Sequence, residues 1–167
     1  MQPSTAKYFY PRLTLLMAAA VMALLTTAMA RAENLSYTMN PIGHVAGKDG
    51  KTQIVIDAKY QDGLLRLDDF SHVWVIWWFD QHDNPVQRQI LQVHPRRDPR
   101  NPLSGVFATR APVRPNLIGL TLCRIISVQD NVVEIDGIDA YEGTPVLDLK
   151  PYIPSESVPG AKTPQRY

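Results

Sequence analysis

The run His72-Val-Trp-Val-Ile-Trp-Trp-Phe79 limits the fold more than any other segment. Its β-branched and aromatic residues favour a strand, and apolar side chains at both alternating positions call for cover on two faces. It is expected to lie at the centre of a sheet, with Trp74, Trp77 and Trp78 packed in a core rather than free to stack on bases. No stretch after residue 32 sustains the i, i+3, i+4, i+7 apolar spacing of an amphipathic helix. Short β-rich runs alternate instead with turn residues, the pattern of an all-β sandwich or barrel. Strands are predicted at Gln53–Lys59, with Ile54, Ile56 and Ala58 on one face, and at Gly105–Thr109. Others are predicted at Leu117–Val128, at Val132–Ile138 beyond a Gln129-Asp130-Asn131 turn, and at Val146–Lys150. Asp83-Asn84-Pro85 opens either a hairpin or a short helix over Val86–Val93.

The amino end has a different character. Residues 13–30 carry no charge, Lys7 and Arg12 precede them, and small residues follow as Ala28-Met29-Ala30 and Ala30-Arg31-Ala32. A basic start, an apolar run and an A-x-A site describe a secretory signal peptide over residues 1–32. An uncleaved membrane anchor with the domain outside is the second reading. The expected location is thus periplasmic or secreted. Net charge conceals the rest of the pattern: 17 Lys+Arg nearly balance 16 Asp+Glu, but Lys7, Arg12 and Arg31 belong to the leader. The remaining domain is mildly acidic, yet six arginines (96, 97, 100, 110, 114, 124) face a single acid, Asp98, within residues 94–124.

Two proline-rich segments interrupt the strands. Residues 94–104 (HPRRDPRNPLS) are too polar for a core, and residues 110–116 (RAPVRPN) are stiffened by two prolines. Long loops in a small domain are commonly functional, and pre-ordered ones lose less entropy on binding. Arg110 and Arg114, flanking a proline, suit bidentate recognition of carboxylate or phosphate, and Asn116 offers a donor and an acceptor. Asp139, Glu142 and Asp148 surround a Gly143-Thr144-Pro145 turn followed by Lys150; such carboxylates either bind hydroxyl and amino groups or cap their own turn. Residues 155–167 read as a flexible tail. G-x-G-x-x-G, P-loop, H-E-x-x-H and G-x-S-x-G motifs are absent. The lone Cys123 excludes an internal disulfide, and His44, His72, His82 and His94 lack metal-ligand spacing, so no metal is expected.

These segments resemble the TsaA-like, or TrmO-type, methyltransferase family. Gly105–Thr121 (GVFATRAPVRPNLIGLT) is similar to its G-V-F-A-T-R-S-P-x-R-P-N-P-I-G-L-S/T, and Glu142–Pro154 to its D-G-T-P-V-L-D-I-K-P-Y-I-P. Leu67–Trp74 resembles L-x-x-F-S-H-x-W, Val93–Pro99 resembles V-H-P-R-G-x-P, and Pro41-Ile42-Gly43 matches the usual opening. Glu142 stands where aspartate is usual, Ala111 where serine is, and Leu117 where proline is. Ala46–Gly50 replaces a longer amino-end segment. Over residues 33–154 the resemblance implies a small antiparallel β-barrel of ~7 strands that dimerises and binds S-adenosyl-L-methionine. It implies N6-methylation of threonylcarbamoyl-adenosine, the purine just 3′ of the tRNA anticodon. It assigns the cofactor to Ser71, His72, Arg110, Leu120, Asp139, Ala140, Tyr141 and Glu142. Arg96, Arg97, Arg100 and Arg114 would face tRNA phosphates, with Asn116 and Lys150 also on the substrate side.

Overall fold

The computed structural model describes residues 36–48 and 50–164; the expected signal peptide, residues 1–32, lies outside them. Residues 1–38 and 39–167 form separate units, and residues 36–38, the described part of the first, are exposed and without regular structure. In the second unit six strands close into an antiparallel barrel, β1 (Gly43–Lys48), β2 (Lys51–Ile56), β3 (His72–Trp78), β6 (Ile118–Gln129), β7 (Val132–Ile135) and β8 (Pro145–Pro151). Around the barrel the order is β1-β2-β7-β6-β3-β8, and β8 closes on β1 through Gly43 opposite Val146. β4 (Gln92–Val93) and β5 (Ser104–Gly105) make a separate two-stranded ribbon, and α1 (Pro85–Arg88) is a single helical turn. The all-β barrel expected from the sequence is therefore present. Closure removes the unpaired edges that an open sheet of short strands would expose.

Alternation decides which side chains enter the core. Val73, Val75 and Trp77 of β3 point inward, against Ile54 and Ile56 of β2, Val133 and Ile135 of β7, Val146 of β8 and Cys123 of β6. Burial of such branched side chains contributes about 1.5–3 kcal/mol each. Only Trp77 of the three tryptophans joins this core. Trp74 and Trp78 lie half-buried on the outer face with Ile76, because a barrel strand has only one inner side. They stand directly across from Leu122, Ile118 and Leu120 of β6.

Several strand limits also differ from expectation. β2 ends at Ile56, and Ala58 opens a 3-10 segment, Ala58–Leu64, instead of continuing the strand. Val106–Ala108 is a 3-10 turn beyond the short β5, and β7 stops at Ile135. Of the two readings after Pro85, the helix holds. Asn84 Oδ1 caps it by accepting from the Gln87 N–H at 3.0 Å, and proline occupies the first turn. The Gln129–Asn131 turn is present, with Asp130 left-handed at φ 52°. After a 3-10 turn at Pro154–Glu156, where Glu156 accepts from the Trp74 indole at 3.3 Å, the described tail is exposed.

Candidate functional site

The chemistry gathers at the end of the barrel where β3 finishes, β6 begins and β8 begins. A register shift between Ile76 and Trp77 in the β3–β8 pairing marks this end. Bulges of this kind re-aim side chains at barrel rims. The Trp77 indole lies over Gly119, its partner on β6, so closely that any Cβ there would strike the ring. This explains the glycine in the Ile118-Gly119-Leu120 sequence. Phe79 packs edge-on against Trp77 with ring centroids 4.4 Å apart. The Trp77 Nε1–H donates to Thr121 Oγ1 at 3.1 Å, and the Thr121 hydroxyl donates to Asp139 Oδ1 at 2.6 Å. A short bond to a carboxylate is among the stronger hydrogen bonds. This relay anchors the Asp139 carboxylate to the core tryptophan.

The loop bearing Arg110 is braced from two sides. Thr109, buried, donates from its hydroxyl to Val106 O and accepts from the Ala111 N–H. Arg88 of α1 donates to Pro115 O at 2.9 Å, pairs with Asp83 at 2.8 Å and lies over the Trp78 ring. The Arg88 and Trp78 hydrogen bonds hold the Asp83 carboxyl below the usual carboxylate range. Arg114 turns back on its own loop toward Thr109 O and Ala111 O at 3.5 and 3.4 Å.

Three adjoining cavities open around Arg110. One, about 200 Å³, is walled by Trp77, Phe79, Arg114, Gly119, Leu120 and Asp139. A second, about 230 Å³, shares Trp77, Phe79 and Asp139 and adds Asp80, Gln81, Arg97 and Tyr141. The third, about 420 Å³, runs between the 93–97 and 109–113 loops. Aromatic walls with an arginine on one side and a fixed carboxylate on the other suit a small ligand that carries both charges. Among the described residues no group of three His, Cys, Asp or Glu could hold a metal ion.

The structure brings together Arg110, Leu120, Asp139 and Tyr141 of the expected cofactor residues, with Ala140 packed on the core behind them and Glu142 beside Gly47. Ser71 and His72 are not with them. They sit at the opposite end of β3, five residues from Trp77 and so ~17 Å away along the strand, with Ser71 Oγ on His72 Nδ1 and Tyr152 edge-on to the ring. Lys150 belongs to that far end too, opposite Trp74 and paired with Asp148 at 3.0 Å. Arg96 and Arg97 line the third cavity. Arg100 is instead engaged by Asp98 in a two-pronged pair at 2.7–3.0 Å, which holds the Asp98 carboxyl below its ordinary range. Asn116 is exposed and lines none of the three cavities. Sequence reasoning missed Trp77, Phe79, Asp80 and Gln81. The signal was available as an acid and an amide that abruptly end an otherwise apolar strand.

Comparison with known proteins agrees with this architecture. A protein of Methanocaldococcus jannaschii, named as a probable S-adenosyl-L-methionine-binding protein, is 43% identical over 114 residues, covering 68% of this chain and 90% of that one. A tRNA (adenine(37)-N6)-methyltransferase of Rattus norvegicus is 43% identical over 105 residues, 63% of this chain but 24% of the enzyme. The crystal structure of TrmO from Pseudomonas aeruginosa superposes with a TM-score of 0.60 at 27% identity, over 77% of this chain and 62% of that one. The model of the tRNA-methyltransferase O N-terminal domain matches residues 35–157, most of the chain and the whole barrel. The chain therefore belongs to the tRNA-methyltransferase O N-terminal domain family.

Proposed function

We propose that the protein is an S-adenosyl-L-methionine-dependent N-methyltransferase whose acceptor is N6 of threonylcarbamoyl-adenosine next to the tRNA anticodon. The observation that carries this reading is the convergence of Arg110, Leu120 and Asp139, from three separate segments, on cavities walled by Trp77 and Phe79. These residues fit the cofactor. Arg110 suits its carboxylate, Asp139 its hydroxyl or amino groups, and the aromatic faces its adenine or its cation. When bound, the cofactor supplies an already activated methyl group, so the protein's task is alignment and exclusion of water. Thr121 holds Asp139 in place, while Thr109 and Arg88 keep the Arg110 loop in one conformation. Arg96, Arg97 and Arg114 supply positive charge for RNA phosphates, a contact that weakens steeply with salt.

Calorimetric titration with the cofactor tests the first step, and transfer of labelled methyl to tRNA carrying the threonylcarbamoyl group tests the second. No heat from a folded sample at millimolar cofactor would sink the reading. The outer face of β3 and β6, with Trp74, Ile76, Ile118, Leu120 and Leu122 side by side, supports a homodimer built on a second copy of this chain. Leu122→Glu should then convert a dimer to a monomer in light scattering.

A second reading rests on two features. Residues 1–32 carry the sequence pattern of a signal peptide, and a simple β1–β2 hairpin stands where the family pattern has a longer amino-end segment. An exported, non-catalytic barrel holding an adenosine-like or anionic ligand accounts for both. Cofactor binding without methyl transfer to any tRNA would select it, and the full-length 167-residue form recovered from cytosol would reject the export.

A further inference from the structure

The loop from His94 to Asn101 places two consecutive arginines, Arg96 and Arg97, in the left-handed region at φ 58° and 57°. An L-residue is strained there, because its Cβ crowds the following carbonyl oxygen, a penalty that glycine escapes. In the V-H-P-R-G-x-P pattern quoted above, glycine stands at the position of Arg97. The loop needs neither arginine's side chain to hold its shape. Asn101 donates to Pro95 O at 2.9 Å, His94 Nδ1 bonds Asn101 O at 2.7 Å, and Arg100 grips Asp98. Asp98, the nearest acid in sequence, is thereby occupied. Among the described residues neither Arg97 nor Arg110 forms an ion pair.

Both guanidinium-bearing residues stand where two cavities meet. Arg97, Arg110 and Pro112 are the residues common to the 420 Å³ loop cavity and the 230 Å³ cavity lined by Trp77 and Asp139. Two guanidinium groups without a direct ion-pair partner thus line the same cavity, and like charges on one wall repel. Strained backbone of this kind clusters at ligand-binding sites, and an anion between the two arginines would relieve their repulsion.

We propose that Arg97 and Arg110 form a two-guanidinium clamp for an oxyanion, carboxylate or phosphate, on the ligand that crosses from one cavity to the other. Arg97 is the specificity-determining half. This rests on the reading of the Trp77–Asp139 cavity as the cofactor site. The oxyanion belongs either to the carboxylate of the cofactor or to a phosphodiester of the acceptor strand.

Arg97→Gly tests the clamp, because it relaxes the backbone while deleting the cation. The variant should melt a few degrees higher, roughly 2–5 °C, and yet bind the oxyanion ligand about 10-fold or more weakly. A residue with a merely structural role would not separate stability from affinity in this direction. Arg97→Lys should keep part of the affinity and gain no stability. The probes are S-adenosyl-L-methionine, its decarboxylated analogue, a short single-stranded RNA and inorganic phosphate. A loss confined to the carboxylate-bearing cofactor assigns the clamp to that group. Unchanged cofactor affinity with weaker RNA binding, and a salt slope shallower by about 0.7 per lost contact, assigns it to phosphate. If the wild type binds no cofactor, the cofactor reading fails separately. In that case thermal stabilisation by millimolar phosphate, present in the wild type and absent in Arg97→Gly, upholds the clamp. A variant that matches the wild type with all four probes overturns it.

Discussion

Thr121→Val tests the relay that joins the core to the site. The substitution keeps the shape of the side chain and removes only the hydroxyl. Trp77 is 4% exposed and its indole N–H can only donate, so it loses its partner without a replacement. Stranding such a donor costs about 1–3 kcal/mol, and Thr121 is itself half-buried, which favours the lower half, about 1–2 kcal/mol. For a domain of this size that corresponds to a fall in Tm of roughly 3–8 °C. Asp139 loses the same hydroxyl, its 2.6 Å donor, so cofactor affinity should drop beyond any loss caused by lower stability. Thr121→Ser restores both bonds and should recover both quantities. Thermal unfolding followed by circular dichroism and calorimetric titration read the two effects. The decisive control is the Trp77→Phe background, which has no indole donor to strand. There the stability cost of Thr121→Val should shrink by about 1 kcal/mol or more. A shift under 2 °C, or one of equal size in both backgrounds, refutes the relay.

Other expectations follow from the same geometry. Gly119→Ala drives a methyl group into the Trp77 ring, so it should destabilise the barrel by about 1–3 kcal/mol and disturb the near-ultraviolet tryptophan signal. Burial first, then the charges of Asp136 and Asp139, push the Cys123 thiol up to about 12. At pH 8 iodoacetamide should therefore label the urea-unfolded chain far faster than the native one. Asp83 carries a lowered pKa, so its stabilising effect is complete above the ordinary carboxylate value and fades as pH falls through the depressed one. Asp83→Asn should accordingly lower Tm at neutral pH, with the difference from wild type vanishing in strong acid.

Local chemistry was legible in residue order. The β-rich runs, the Asp130 turn and the arginine-rich loops depend on neighbours a few residues away, so spacing and propensity were enough to reveal them, while the Asn84 cap was legible only as one of two options, hairpin or helix. The orientation of β3 was not. HVWVIWWF reads as buried on both faces, but barrel closure gives each strand one inner side, which takes Val73, Val75 and Trp77 and leaves Trp74 and Trp78 outside. The site divides in the same way. Arg110, Leu120 and Asp139 were already implied by motif, whereas Ser71 and His72 were assigned to the same cofactor site, and Lys150 to the substrate side, although the barrel holds all three at its other end. Antiparallel pairing puts the end of β3 beside the start of β6 and of β8, so residues far apart in sequence meet while those a strand's length apart do not. Extension, turning and local charge are short-range properties, so residue order is enough to read them. Which charges share a cavity depends on register and barrel closure, which no single segment contains.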